Sequence, residues 1–97
     1  MTHIYVSCAA AADGQRCSVR VGDDAKATTH EVLVSAEALV RHGGKRPDAQ
    51  ALVHESFVFL LEREPRESIL RRFDLPVIER YFPEYPAEIA RRLAARL

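Results

Sequence analysis

The spacing of apolar residues changes within one stretch of the chain, His30-Glu31-Val32-Leu33-Val34-Ser35-Ala36-Glu37-Ala38-Leu39-Val40. Before Ser35 the apolar residues mostly alternate with others, as in a half-buried strand, although Leu33 interrupts the alternation. From Ser35 onward they follow the spacing of a helix, and the Ser35 hydroxyl is suited to cap the first turn. The chain is therefore expected to place strands before this point and helices after it.

Two earlier segments also alternate like strands. Residues 4–8 and residues 17–21 each carry an apolar or cysteine side chain at every second position. Asp13-Gly14 lies between them, and a glycine supplies the positive φ that a tight hairpin turn favours. Together with the strand before Ser35, they predict a three-stranded antiparallel meander, the smallest sheet that is stable once a helix covers one face.

Helical spacing recurs in the rest of the chain, where prolines separate the segments. Asp48 is suited to cap the longest helix, about 49–63, whose apolar residues recur at i, i+3 and i+4. Phe57 and Leu60 lie on this apolar stripe, so both are expected in the core. Shorter helices are predicted at about 36–42, 66–72, 75–82 and 87–96.

Strands and helices that are separated along the chain are typical of the α+β class. The 97 residues are expected to form a single domain, 1–97, with the N-terminal three-stranded antiparallel meander in residues 1–34. It would pack on a C-terminal helical group in residues 35–97.

Composition excludes several classes of protein. The chain has 14 basic and 14 acidic residues and a formal net charge of zero, which argues against a strongly basic nucleic-acid binder and a membrane-surface binder. No apolar run approaches the ~20 residues of a membrane span, and the first residues lack the pattern of a signal peptide. We therefore expect a cytoplasmic protein without a membrane partner.

A segment in the C-terminal half of the sequence resembles a group of small uncharacterised bacterial proteins. The resembling segments are ESFVFLLEREP (55–65), SILRRFDL (68–75) and VIERYFPEY (77–85), within about residues 52–86. Members of the group have both an N-terminal strand region and these C-terminal segments. The resemblance implies a bacterial, cytoplasmic origin, and it brings no activity, cofactor or functional residue.

The cysteines and histidines do not form a recognisable site. With an Asp13-Gly14 turn, Cys8 and Cys17 lie diagonally across the hairpin, which is awkward for a disulfide, so two small buried side chains are expected. A zinc site needs about four closely spaced ligands, and the four histidines are scattered singly. His30 is the one histidine placed to lie beside Cys17, and no metal or other cofactor is expected.

The sequence contains no motif for nucleophilic catalysis, metal hydrolysis or phosphate binding. We therefore expect a small non-catalytic protein-interaction or accessory protein, which acts through a protein partner or through self-association. Tyr81, Phe82 and Tyr85 form the candidate partner-binding site, because aromatic side chains on a rigid backbone lose little entropy on binding. The alternative is that these rings pack back onto the long helix.

Two other functions stay open. A nucleic-acid-binding regulator would use the helices between 66 and 96, with the first two as a helix-turn-helix, although their acidic residues repel phosphate. An enzyme of unknown reaction is the third hypothesis. A homodimer is also expected, because residues 4–8 carry no lysine, proline or acidic residue to discourage pairing of a free strand edge.

Overall fold

The computed structural model describes residues 2–45 and 47–96 and shows an α+β fold, as predicted. Its sheet has the strand order β1-β2-β3-β4, and its helices lie on one face. The strands are β1 (Ile4–Ala11), β2 (Gly14–Val21), β3 (Thr28–Ser35) and β4 (Arg72–Asp74). The helices are α1 (Ala36–His42), α2 (Ala49–Leu61), α3 (Val77–Tyr81) and α4 (Tyr85–Ala95), and a 3₁₀ turn spans Arg66–Ser68.

Alternating burial shows which face of the sheet meets the helices. Cys17, Val19 and Val21 of β2 are buried, as are Val32 and Val34 of β3, whereas the residues between them are more exposed. The alternation predicted for these two segments is therefore confirmed. The buried face packs on α1 and α2, and the opposite face is largely open to solvent.

The prediction of a three-stranded antiparallel meander is wrong, because β4 adds a fourth strand that runs parallel to β3. Phe73 aligns with Val32, and the Glu31 N–H donates to the Arg71 carbonyl at 2.7 Å. The helix predicted at 66–72 is replaced by the 3₁₀ turn and extended chain. Pairing with β3 satisfies backbone groups that a helix would leave unpaired at that edge, and it buries the Phe73 ring.

The β1–β2 turn lies one residue earlier than predicted. Ala12 and Asp13 form the turn, and Gly14 is the first residue of β2. Gly14 does not adopt a positive φ. Its role is to allow close approach, because a Cβ there would lie 2.1 Å from the Val34 carbonyl oxygen.

The two predicted caps are present at α1 and α2. The Ser35 hydroxyl accepts a hydrogen bond from an N–H in the first turn of α1 at 3.0 Å, and the Asp48 carboxylate accepts one from the Gln50 N–H at 2.9 Å. Phe57 and Leu60 of α2 are buried, as predicted. Within the two described ranges, no helix has the length and apolar character needed to cross a membrane.

Candidate functional site

The three aromatic residues that were predicted to bind a partner differ in their exposure to solvent. Tyr81 is 69% exposed, Phe82 is half-buried against the Phe59 ring, and Tyr85 is fully buried. The Tyr85 hydroxyl bonds the Ser56 hydroxyl at 2.7 Å, and burial raises the pKa of Tyr85 above its usual value. Tyr85 therefore belongs to the core, and only Tyr81 and Phe82 reach the surface.

Tyr81 and Phe82 line a cavity of about 210 Å³ between the end of α2, β4 and α3. We call it the α2–α3 groove. Its walls come from one stretch of the chain, residues 60–82, and its shape depends on how the end of α2, β4 and α3 pack together. The residues that line it are Leu60, Glu64, Ser68, Ile69, Leu70, Phe73, Val77, Ile78, Tyr81 and Phe82.

The α2–α3 groove has an apolar floor and an exposed apolar rim. Leu60, Phe73 and Ile78 are buried beneath it, whereas Leu70 and Tyr81 are 49% and 69% exposed. Exposed apolar side chains beside an apolar cavity mark an interaction surface more often than isolated ones do. The groove therefore offers a partner both a pocket and two adjoining contact residues.

Among the described residues that line the groove, Glu64 is the only charged one. Its carboxylate makes no hydrogen bond or ion pair with the residues that the structure describes, whereas Glu62 pairs with Arg92 and Glu84 pairs with Arg63. Burial raises the pKa of the Glu64 carboxyl. A partly desolvated carboxylate without a counter-charge is complementary to a cation brought by a ligand.

The expectation that Cys8 and Cys17 are separate thiols is wrong, because they form a disulfide between β1 and β2. The earlier turn shifts the register by two residues, so that the two cysteines face each other directly. Both thiols are thereby removed from nucleophilic and metal-binding chemistry. Since disulfides are rare in the cytosol, this bond counts against a cytoplasmic location, which stays a prediction.

His30 has a structural role on the buried face of β3. Its Nδ1 donates to the Leu70 carbonyl at 2.8 Å, and its Nε2 accepts from the Thr28 hydroxyl at 2.9 Å. Both ring nitrogens are therefore occupied, and the ring ties the chain before β4 to β3. In residues 2–45 and 47–96, no group of three or more His, Cys, Asp or Glu side chains is placed to hold a metal ion.

A second polar cluster lies at the start of β1. The Tyr5 hydroxyl donates to the Asp23 carboxylate at 2.5 Å, and the His3 ring bonds its other oxygen. These bonds lower the pKa of Asp23, and the bond to Asp23 raises the pKa of Tyr5. The phenol is thus held protonated, so the cluster ties β1 to the loop after β2 and does not activate a nucleophile.

Leu70 and Glu64 were not among the predicted site residues. Their proximity to Tyr81 depends on β4, which the sequence pattern assigned to the end of a helix and a turn. The sequence signal for the strand is short: Phe73 and Leu75 alternate with polar residues.

The chain was compared with protein-family models, with curated proteins and with solved structures, and none of the three comparisons found a match. Its function is therefore inferred from the α2–α3 groove itself.

Proposed function

We propose that this chain is a non-catalytic protein-interaction module, and that the α2–α3 groove receives a large apolar side chain of a protein partner. The observation that supports this most directly is the exposure of Leu70 and Tyr81 on the rim of an apolar cavity. Tyrosine is enriched among the hot spots of protein interfaces, and hot spots cluster at pockets that become fully desolvated on binding.

The size of the groove favours a side chain over a small-molecule ligand. Its volume of about 210 Å³ is below the ~300–1,000 Å³ that is usual for sites of drug-sized ligands and cofactors. A pocket of this size suits an anchor residue whose flanking backbone lies on the surrounding surface. Leu70 and Tyr81 would then contact residues next to the anchor.

The charge of the groove favours a partner with a basic residue close to its apolar anchor. Glu64 lines the cavity without a counter-ion among the described residues. A lysine or arginine of the partner would supply that counter-ion, and the Coulomb attraction between the two charges is stronger where water is excluded. An acidic residue at the same place would be repelled, which gives the groove a means of discrimination.

A nucleic-acid-binding regulator that uses the helices between 66 and 96 has less support. Arg91 and Arg92 of α4 pair with Glu88, and Arg96 pairs with Glu55. Phosphate binding would have to compete with these ion pairs.

A library of displayed dodecapeptides, selected on the immobilised wild-type chain, tests the proposal. We expect the selected peptides to carry a large apolar residue within a few positions of a lysine or arginine. The Tyr81→Ser change should weaken their binding about 30-fold, which corresponds to a hot spot of about 2 kcal/mol. The matched control is Tyr5→Ser, which removes the other exposed tyrosine, in β1 at the opposite edge of the sheet from β4, and should leave the affinity unchanged.

The role of Glu64 is tested with the same peptides. Glu64→Gln should weaken peptides that carry the basic residue about tenfold, and it should have little effect on versions in which that residue is replaced by norleucine. Non-additivity of the two changes would measure the ion pair directly. The proposal is wrong if selected peptides bind the Tyr81→Ser chain as tightly as the wild type, or if selection yields no peptide with a Kd below about 100 μM.

A further inference from the structure

The outer edge of β1 is unpaired in the described part of the chain. The sheet order places β1 at an edge, and the Gly22 N–H donates to the His3 carbonyl at 2.8 Å. Bonded and non-bonded pairs alternate along an antiparallel ladder, so the odd-numbered residues of β1 bond β2. The N–H and C=O groups of the even-numbered residues therefore point away from the sheet. These residues are Ile4, Val6, Cys8 and Ala10.

This edge lacks the features that protect natural edge strands. β1 extends over eight residues, Ile4–Ala11, and contains no charged residue and no proline. Natural proteins block such edges with lysine, proline, bulges or very short strands. An unblocked edge of this length is suited to receive another strand by backbone hydrogen bonding.

The order of side-chain sizes in β1 favours a second copy of the same strand. Large residues occupy the first half and small residues the second half, IYV before Ser7 and CAA after it. If two β1 strands run antiparallel with Ser7 facing its symmetry mate, each large side chain lies opposite a small one. The facing pairs are Ile4 with Ala10, Tyr5 with Ala9, and Val6 with Cys8.

The same register also pairs the free backbone N–H and C=O groups of the two β1 strands. With Ser7 on the two-fold axis, even-numbered residues face even-numbered residues, and these are the ones whose polar groups are free. Four residue pairs would each exchange two hydrogen bonds, which is the pattern of a bonded antiparallel pair. Such an interface is isologous, since the same surface is used by both copies.

Half-buried apolar side chains next to this edge also favour a second copy of the chain as the partner. Ile4 and Val6 are only half-buried, and Val58 and Leu61 of α2 lie half-buried beside them. A second sheet that continues the first places its own α2 on the same face, so these side chains would be covered. A formal net charge of zero means that no long-range repulsion opposes the contact.

We propose that two copies of this chain associate through antiparallel pairing of their β1 strands about a two-fold axis at Ser7. The two four-stranded sheets then form one continuous sheet, with β4 and the α2–α3 groove at its two far ends. This association is independent of the proposed function, because neither groove takes part in it.

Sedimentation equilibrium from about 1 μM to 1 mM tests the association. We expect the wild-type chain to change from the 10.9 kDa monomer to a dimer within this range. Ser7→Lys places two like charges on the axis and should weaken the dimer at least tenfold. The matched control is Ser18→Lys, which adds the same charge to the exposed residue of β2 that pairs with Ser7, and it should leave the dissociation constant within about threefold.

Hydrogen exchange of the wild-type chain tests the register without any variant. In the dimer, the amides of Val6 and Cys8 should become protected as concentration rises, whereas the Ser7 amide, which already bonds β2, should change little. A monomer at 1 mM overturns the proposal. So does a dimer that Ser7→Lys does not weaken, or one whose new protection lies outside β1.

Discussion

The two edges of the sheet differ in length and in charge. β1 has eight residues without a charge, whereas β4 has three, in which Phe73 lies between Arg72 and Asp74. Short, charged edges discourage strand addition and long, uncharged edges permit it. The difference supports our two separate proposals, backbone pairing at β1 and side-chain binding beside β4.

The two edges are also held by different interactions. β1 is fixed by an eight-residue ladder with β2 and by the Cys8–Cys17 disulfide. β4 has only three paired residues. It depends on the Phe73 ring, whose centroid lies 6.2 Å from that of the Phe57 ring. It also depends on the hydrogen bond from the His30 ring to the Leu70 carbonyl, just before β4. A short strand is thus stabilised by tertiary packing, whereas a long hairpin is stabilised by its own ladder.

The largest effect on the free energy of unfolding is expected at β4. Phe73→Ala should lower the free energy of unfolding by about 3–5 kcal/mol, because it removes the one buried side chain of that strand and leaves a cavity beside Phe57. Urea titration followed by circular dichroism measures the change. Leu70→Ala is the control, and since Leu70 is half exposed, its cost should stay below about 1 kcal/mol. A loss under 1 kcal/mol for Phe73→Ala would mean that the ring does not hold this edge.

A smaller effect is expected at β1 when the disulfide is removed. Replacing Cys8 and Cys17 together by alanine should cost about 2–3 kcal/mol, because the bond closes a short loop, with a sequence separation of 9, and restricts the unfolded chain. The backbone hydrogen bonds between β1 and β2 should remain. The same urea titration, on the oxidised chain, the reduced chain and the double variant, measures this cost. Equal stability of the oxidised and reduced chains would contradict it.

The smallest effect on stability is expected from mild acid, and it should act through His30, next to β4, and His42, at the end of α1 beside Tyr85. Burial lowers the pKa of His30 and of His42, so the folded chain keeps both neutral while the unfolded chain binds protons. Stability should therefore be full above about pH 6.5, the usual histidine pKa, and should be lost as pH falls through the lower folded pKa values.

Urea titrations between pH 8 and pH 5 measure this dependence. The Asp23, Glu62 and Glu88 carboxyls, whose pKa values are lowered by hydrogen bonds, lose their contribution only at more acidic pH. His30→Gln should flatten part of the decline between pH 7 and pH 5. An identical decline in the His30→Gln chain would assign the effect to other groups.

Local pattern was a good guide where an element depends on its own residues. The burial alternation of β2 and β3 follows period 2 in the sequence, and the Ser35 and Asp48 caps lie one residue before the helices they begin. In these cases the interactions that select the conformation span only a few residues. Among the residues that line the α2–α3 groove, the same reasoning had named Tyr81 and Phe82 as candidates, but not Leu70 or Glu64.

The sequence by itself determined the α+β class, the three N-terminal strands and the burial of Phe57 and Leu60. The tertiary structure decided the cross-strand disulfide, because a one-residue difference in the turn changes which residues face each other. It also decided the strand at Phe73, and with it the α2–α3 groove. The backbone near Phe73 becomes extended because β3, far away in the sequence, offers it hydrogen bonds and α2 offers the ring a buried place, and neither is visible in the local pattern.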